Sequence, residues 1–564
     1  MITDTLFGLP GHAPIVIVGG GPSGLFLSLD LARYGVPSVV LDGRRHIDAN
    51  RPRAKTTNTR TMTHLRRLGL AESLRRAAPL PVDYSEDVIF CTSATGYELT
   101  RFHEAFQLHR GRYDLQPESG QQVGQPVVET VLREAVAAEP LVTAYVGARV
   151  DSIDTPDGGY RLFVRHDDGR RSISADYLVG ADGGSSVVRK SIGLRLEGSS
   201  AARSNLNVLF RSRELADTIT LDKAVQYWIT NPAAPGMLGP LDLDGTWWTI
   251  LQGVDSDDVV ADPVPSIRAM VGAEIDIDVI EKDPWTARML LADHYRSGNA
   301  FLVGDAAHLN PPWGGHGFNT CIGDAANLAW KLAASVKGWA GPVLLNSYEA
   351  ERRPVAARTI RDAAANGNSL AYDFADAELL DDGPAGQAAR DAAAANLVVK
   401  TSEFHSLGLV LGYEYSDSPL SGKGDVVPPS DPVRYTPSAA PGCLLPHTWL
   451  ADGSSIYDML GPGFTLLYEI GRIPTGQPEE LSLAAGRYGI PLTVRAITES
   501  CSVWGVAAVL VRPDQHTVWR GSDLFDREGA GGAESALTAL VRAAGVPDGD
   551  LNSSTTDRMK ETAG

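Results

Sequence analysis

Cysteine is scarce and scattered. The four residues Cys91, Cys321, Cys443 and Cys501 form no C-x-x-C pair in 564 residues, so neither a disulfide framework nor a zinc site is signalled, and a reducing cytoplasm is the expected setting. Basic runs are missing as well. With 50 Lys and Arg against 69 Asp and Glu, the net charge of −19 holds no cationic cluster of the size a nucleic-acid footprint needs, and nucleic acid is not expected as a partner. No window of roughly eighteen residues is free of charge and breakers, and the opening MITDTLFGLPGHAP lacks a basic n-region and an apolar h-region. The chain therefore reads as neither secreted nor membrane-spanning. No internal repeat is visible. What remains is an ordinary globular composition, 43% hydrophobic and 21% charged, with length for roughly three to four domains.

Against that background one stretch stands out, GDAAHLNPPWGGHGFNTCIGDAANLAWK from Gly304 to Lys331. An apolar strand, Ala300 to Val303, runs into Gly304-Asp305, and a loop with Pro311, Pro312, Gly314, Gly315 and Gly317 follows. Such a loop bends tightly and exposes its backbone. Helical spacing then begins, with Ile322, Ala325, Ala326, Leu328, Ala329 and Leu332 on one apolar face. A bare helix N-terminus thus sits behind the loop, where unpaired N–H groups stabilise an anion such as a reduced flavin. Taken alone, the stretch reads equally as an ordinary strand-loop-helix crossover with Asp305 as a turn residue.

Near the start, a β-branched run from Pro14 to Val18 leads into Gly19-Gly20-Gly21-Pro22-Ser23-Gly24 and an amphipathic helix from Leu25 to Tyr34. A second apolar strand, Ser38 to Leu41, ends at Asp42, 18 residues beyond Gly24. Strand, glycine turn, helix and acid together make a dinucleotide fingerprint: the glycines let backbone approach a pyrophosphate and the acid accepts from a ribose. Arg44 and Arg45 follow, as phosphate or adenine neighbours or as plain surface cations. Four cations fall between Arg51 and Arg60, Arg53 and Lys55 among them; they form either a solvated loop or a rim touching an anionic cofactor and an ionisable substrate. Gln125 opens a helix running from Thr130 to Ala138 and is placed to bond a ribitol or ribose hydroxyl. Alternating runs at 144–152, 160–166 and 171–178 read as a β-meander ending in a third motif, Gly180-Ala181-Asp182-Gly183-Gly184-Ser185-Ser186-Val187-Val188-Arg189.

With GGGPSG, GADGGSSVVR and GDAAH followed by PPWGGHGFNTCIGDAANLAWKLA in this order, the chain resembles the single-component FAD-dependent aromatic hydroxylases of the p-hydroxybenzoate hydroxylase fold. The likeness covers nearly the whole chain. The run Tyr348-Glu349-Ala350-Glu351-Arg352-Arg353-Pro354 and the later PGCLLPHTWL are similar to the phenol and hydroxybiphenyl hydroxylase branch. The resemblance implies that Gly19, Gly21 and Gly24 hold the FAD pyrophosphate and Asp42 the adenosine ribose, with Arg44 and Arg53 near the cofactor. It places Gln125 and Asp305 on the ribose-ribitol stretch, and Pro312 with Gly317, Phe318 and Asn319 along the isoalloxazine. Asp182 belongs to a motif associated with both FAD and a nicotinamide donor, NADPH or NADH, for which no second Rossmann unit exists. Cys321 departs from the small residue usual there, and Trp313 is bulky beside the expected flavin edge. Lys55 falls where phenol-type relatives carry the group that deprotonates the substrate; it and Pro312 are the expected catalytic positions.

The fold implied is α/β: a Rossmann-like FAD-binding domain (1–80, 120–195, 285–365) interleaved with an antiparallel-sheet substrate domain (81–119, 196–284). A helical segment and linker (366–440), a thioredoxin-like domain (441–547) and a disordered tail (548–564) complete the chain. Without C-x-x-C the thioredoxin-like domain should be redox-silent. Tyr227, Trp228, Trp247 and Trp248, in strands between Leu206 and Leu251, are substrate-pocket candidates together with Trp313, although aromatics in strands are commonly plain core. The implied reaction is hydroxylation of a phenolic or polyketide aromatic by dioxygen through a flavin C4a-hydroperoxide, in a monomer or homodimer, with no metal. Baeyer-Villiger insertion or epoxidation on a polycyclic polyketide is the nearest alternative; a non-catalytic flavin- or aromatic-binding protein is the remote one.

Overall fold

The computed structural model describes residues 1–547 except 52, 157–158, 255–256, 423–424, 499–501 and 526–533. The tail expected at 548–564 and Cys501 therefore lie outside the described residues. Two large sheets and two small ones, of four strands and two, organise what is described.

The first sheet is built on His12–Val18, whose β-branched residues are buried on both faces, as a central parallel strand requires. It lies between Ser38–Asp42 and Gly169–Gly180, both parallel to it. The crossover helix Pro22–Arg33 starts with Pro22, whose fixed φ suits the first turn, and stops where Gly35 takes φ +70°. It buries Leu25, Phe26, Leu27, Leu29 and Leu31 and packs on the long helix His316–Val336, each such side chain contributing about 1.5–3 kcal/mol of burial. The run expected as one strand at 144–152 divides at Gly147, φ +72°. Val142–Val146 joins the parallel sheet beside Ser38–Asp42, and Arg149–Asp154 enters the meander. The strand Gly169–Gly180 serves both parts: its first half pairs antiparallel with Tyr160–His166, and its end runs parallel to Ala300–Leu302.

The second sheet is mostly antiparallel, with Leu196–Arg211 between Thr246–Gln252 and Asp278–Ala292. It departs from the expected pure antiparallel pattern where Gln226–Ile229 pairs parallel with Val88–Cys91. Its far edge pairs Leu290 and Leu291 with Leu309 and His308, so the loop after Gly304-Asp305 is itself a strand of this sheet.

Toward the C-terminus, Phe464–Glu469 and Leu492–Ile497 are parallel about the helix Gln477–Arg487, and the hairpin Ala508–Val511/Thr517–Gly521 and helix Ala536–Ala543 follow. This is the β-α-β-β-β-α order of a thioredoxin-like unit. Within the helical segment and linker expected over 366–440, the residues from Tyr415 to Leu420 are anchored. The Tyr415 hydroxyl accepts from Arg352 Nη1 (3.0 Å), Ser418 Oγ donates to Glu351 Oε1 (2.6 Å), and Tyr415 and Leu420 are buried. Among the described residues no helix is long and apolar enough to cross a membrane.

Candidate active site

Three motifs meet at one place. Gly19 has φ +110°, and a Cβ there would lie 2.2 Å from the Ala181 carbonyl oxygen, so the fingerprint turn abuts the GADG turn directly. A Cβ on Gly24 would lie 2.0 Å from Gly19 O. The first and third glycines are thus demanded by the chain's own packing. Gly21 is not: its Cβ would meet only Arg44 Nη2, 3.8 Å away. The space the middle glycine leaves is free of protein and lies at the start of a helix, the place a pyrophosphate takes in this motif. Arg189 Nη1 donates to Ala306 O (2.9 Å), tying the GADG helix to the Gly304-Asp305 turn. A Cβ on Gly304, φ +62°, would lie 2.7 Å from Ser23 Oγ, which closes the triangle back to the fingerprint helix.

Asp42, Arg44 and Gln125 gather at the rim of this turn. Asp42 accepts from the Arg44 backbone N–H (3.0 Å) and from Arg133 Nη2 (3.1 Å), while Arg44 reaches Gly20 O (3.1 Å) and Glu129 Oε2 (3.1 Å). Gln125 Nε2 donates to Glu129 Oε1 at 2.8 Å. Glu129 and Arg133 were missed in the sequence; they sit one and two turns into the helix Gln125–Ala138, and their spacing from Gln125 was the available signal. Asp182 and Arg53 are placed differently from these. The Asp182 carboxylate is turned into its own turn, accepting from Ser186 Oγ and from the N–H groups of Val187 (2.7 Å) and Val188 (3.1 Å), where it caps the helix Val187–Ser191. Arg53 is exposed on the loop that leads to Lys55.

The floor is held from below. Asp324, fully buried, accepts from Gly304 N (3.2 Å), His308 Nε2 (2.8 Å) and Arg352 Nε (2.8 Å). Burial by itself would lower the His308 pKa; the Asp324 charge and hydrogen bond outweigh it and raise it. Asp305 stays exposed, with Cys321 Sγ 3.6 Å from its Oδ1. Pro312 is exposed on the loop, whereas Trp313 is buried, its ring 6.1 Å from that of Trp285. The helix His316–Val336 begins at Gly315, φ +67°, with no side-chain cap, which leaves its first N–H groups to face outward. Gly317 and Phe318 present backbone there. The Asn319 side chain does not: it donates to Thr56 O (3.1 Å) and Gly315 O (2.8 Å) and accepts from Asn58 N (3.0 Å), stapling residues 56–58 to the floor.

That staple positions Lys55, whose carbonyl accepts from Val123 N (2.9 Å). Its half-buried ammonium lies 4.3 Å from the Trp248 ring centroid and 3.5 Å from Arg53 O. Desolvation lowers its pKa from 10.5 to about 8. Strand alternation sorts the four candidate aromatics. Trp228 and Trp248 face this side, in one cluster with Phe90, Phe106, Trp313 and Phe404. Tyr227 and Trp247 face the other, packed with Ile267 and Met270 of the helix Val264–Val271, so they are core rather than pocket.

Residues 12–363 match the model of an FAD binding domain, and residues 438–545 match that of an aromatic-ring hydroxylase C-terminal domain. The chain is an FAD-dependent aromatic-ring hydroxylase. The FAD-dependent monooxygenase apdD of Emericella nidulans is 31% identical to this hydroxylase, over 92% of the chain and 88% of the relative. Phenol 2-monooxygenase of a Pseudomonas species is 28% identical, over 90% of each. Among solved structures, the rebeccamycin biosynthetic enzyme RebC with reduced flavin aligns with a TM-score of 0.84 at 32% identity, covering 95% of the hydroxylase and 100% of that chain. A ternary complex of aklavinone-11 hydroxylase with FAD and aklavinone aligns with a TM-score of 0.79 at 26% identity, covering 94% and 98%.

Proposed function

We propose that this monooxygenase hydroxylates a planar phenolic compound of the polyketide kind, taking electrons from NADPH or NADH and oxygen from dioxygen, as a monomer or homodimer in the cytoplasm. The observation that carries the substrate class is the meeting of an aromatic face with the cofactor floor. Trp248, on the sheet that pairs with the floor loop at His308–Leu309, faces Lys55, and Lys55 is fixed beside residues stapled to the floor helix. Relatives with similar sequences include a phenol 2-monooxygenase and a polyketide hydroxylase of Streptomyces halstedii.

Bound FAD supplies the activation of dioxygen and the electrophilic oxygen. The chain's residues do the rest. The turn Gly19–Gly24 and its helix start hold the pyrophosphate, with Asp42, Arg44, Gln125 and Asp305 along the ribose and ribitol. The bare first turn at His316–Phe318 stabilises negative charge on the ring system in front of it. Pro312 and the aromatic wall keep water from the reacting centre. A phenol ionises near ~10 and reacts better as phenolate, and an adjacent cation lowers that value. With its pKa at about 8, Lys55 keeps its proton at neutral pH, so it acts by charge and not as a base.

The test uses purified holoenzyme with NADPH or NADH and a panel of simple phenols and polycyclic aromatic polyketides. The expected result is ligand-stimulated nicotinamide oxidation coupled to a product heavier by one oxygen atom derived from dioxygen. Bound flavin that never bleaches under either nicotinamide would overturn the reading, and a lactone or epoxide product would replace hydroxylation with the nearest alternative.

A further inference from the structure

Behind the floor loop lies a buried ion pair that none of the three motifs contains. Lys400 and Glu403 pair with each other, both withdrawn from solvent. Two charges taken out of water gain little stability over apolar side chains of the same size, so their presence calls for another account. Both partners reach the elements that hold the loop. Lys400 Nζ donates to the carbonyls of Asn366 (3.0 Å) and Ser369 (2.9 Å), at and just beyond the end of the helix Ser347–Asn366, and lies 4.7 Å from the Trp228 ring centroid. Glu403 accepts from the Gly314 N–H; burial pushes its carboxyl pKa up, and Lys400 and that N–H oppose the rise. Phe404, the next residue, packs its ring on Phe90, Phe102 and Trp228 of the second sheet. Gly314 is hemmed in: at φ +79°, a Cβ there would lie 2.5 Å from His316 Nε2 and 3.4 Å from Glu403 O. Trp313 in turn leaves no room for a Cβ on Gly367, one residue past the same helix end. The loop is thus clamped from behind just where the left-handed pair Gly314-Gly315 feeds the bare first turn of His316–Val336.

We propose that Glu403 is a positioning residue for FAD: by accepting the Gly314 N–H from behind, it fixes the Gly314-Gly315 turn and the helix start it feeds, and so makes the site favour reduced FAD over oxidised. The inference rests on this floor holding FAD and adds residues that lie outside the three motifs. Without an acceptor the enclosed Gly314 N–H would be left unpaired, and two glycines offer little resistance to a rotation that relieves it. The outward aim of the first N–H groups at His316–Phe318 would then be lost, and with it their stabilisation of negative charge. Lys400 has the complementary task. A lone carboxylate this near the floor would itself oppose negative charge on the reduced ring; paired with Lys400, Glu403 supplies an acceptor at no net charge.

Two double variants of the full chain separate the acceptor from the ion pair. K400M/E403Q and K400M/E403M both lack the charges and keep unbranched side chains of similar length, but only the first retains an oxygen for the Gly314 N–H. The readout is the midpoint potential of bound FAD, from anaerobic dye-coupled titration of each holoprotein, which reports the site's preference for reduced over oxidised cofactor without any turnover. K400M/E403M is expected to lose about tenfold of that preference, a fall of about 30 mV for a two-electron couple, while K400M/E403Q stays within about threefold of the parent. Doubles that both keep the parent's potential, that shift alike, or that both fail to take up FAD would make the pair a purely structural one and overturn the inference, leaving FAD-dependent hydroxylation standing. A parent protein that takes up no FAD would overturn the floor assignment itself.

Discussion

At the scale of the residue, Lys55 makes a prediction about stability that is independent of turnover. Its folded pKa of about 8 lies below the ordinary 10.5, so between those values the unfolded chain binds more protons than the folded one. Stability contributed through this group therefore rises with pH across that window. Below about pH 8 the folded protein carries the full penalty of an unpaired ammonium. K55M removes it, and the Tm of the unliganded holoenzyme should rise at pH 7. The gap between K55M and the parent should then close as pH climbs from about 8 toward 10.5. A gap constant across that range would mean that Lys55 is freely solvated. The family resemblance gave Lys55 a substrate-side position, with a solvated basic loop as the alternative, and it could not say which tryptophan faces it. Trp247 and Trp248 differ only in strand parity, and parity is fixed by non-local pairing. Trp248 lies opposite Gly239, and a Cβ on Gly239 would fall 2.8 Å from the Trp248 ring. A glycine on a neighbouring strand makes room for the ring, and no local pattern announces it.

At the scale of the element, the fingerprint turn was read in full from the sequence because each requirement is local: strand, glycine spacing, helix start and acid lie within about thirty residues, the span of one βαβ unit. The structure divides the glycines by cause, which sharpens the expectation for each. Gly21→Ala places its methyl in space the protein leaves open, 3.8 Å from the nearest group. The fold should be kept, with the apoprotein Tm unchanged, while FAD affinity falls at least about tenfold because the methyl takes pyrophosphate room. Gly24→Ala drives a methyl to 2.0 Å from the Gly19 carbonyl. It should lower the apoprotein Tm and FAD binding together, at a cost of about 1–3 kcal/mol or more. Circular dichroism melts and flavin titration of both variants decide the matter, and equal behaviour of the two would refute the division. The Asn319 staple, by contrast, was not legible in the sequence. Its partners, Thr56 and Asn58, lie more than two hundred and fifty residues away, and a motif shows that an asparagine is present without showing which backbone it serves.

At the scale of the whole molecule, a buried ionic network joins the C-terminal domain to the cofactor floor, and it is the part of the design least visible beforehand. The stretch YEAERRP was noticed as a family trait, with no role attached. In the structure Glu351 accepts from Arg512 Nη1 (2.7 Å) and Nη2 (2.8 Å), from Lys331 Nζ (2.6 Å) and from Asn327 Nδ2 (2.7 Å). Arg512 also donates to Asp514 (2.6 Å), whose carbonyl accepts from Arg60 Nη2 (2.9 Å). Next to Glu351, Arg352 reaches Asp324 under the Gly304 turn. One helix, Ser347–Asn366, thus holds the C-terminal hairpin with one residue and the cofactor turn with the next. Burial by itself would raise the Glu351 pKa; Arg512 and Lys331 outweigh it and hold the carboxyl below its usual range. A carboxylate so depressed contributes stability that is present above its unfolded value, near ~4.3, and lost as pH falls through its folded one. Glu351→Gln strands the buried Lys331 and leaves Arg512 with Asp514 as its one carboxylate, and should cost about 3–5 kcal/mol at neutral pH, whereas Glu72→Gln, which breaks an exposed pair with Arg76 at 3.4 Å, should cost no more than about 0.5 kcal/mol. Denaturant melts of the holoenzyme at pH 7 and at stepwise lower pH give both numbers and their pH dependence. The E351Q deficit should shrink as acid protonates the parent's own Glu351. A deficit no larger than that of E72Q, or one unchanged down to the pH at which the parent unfolds, would mean that the C-terminal domain is held by apolar contact alone.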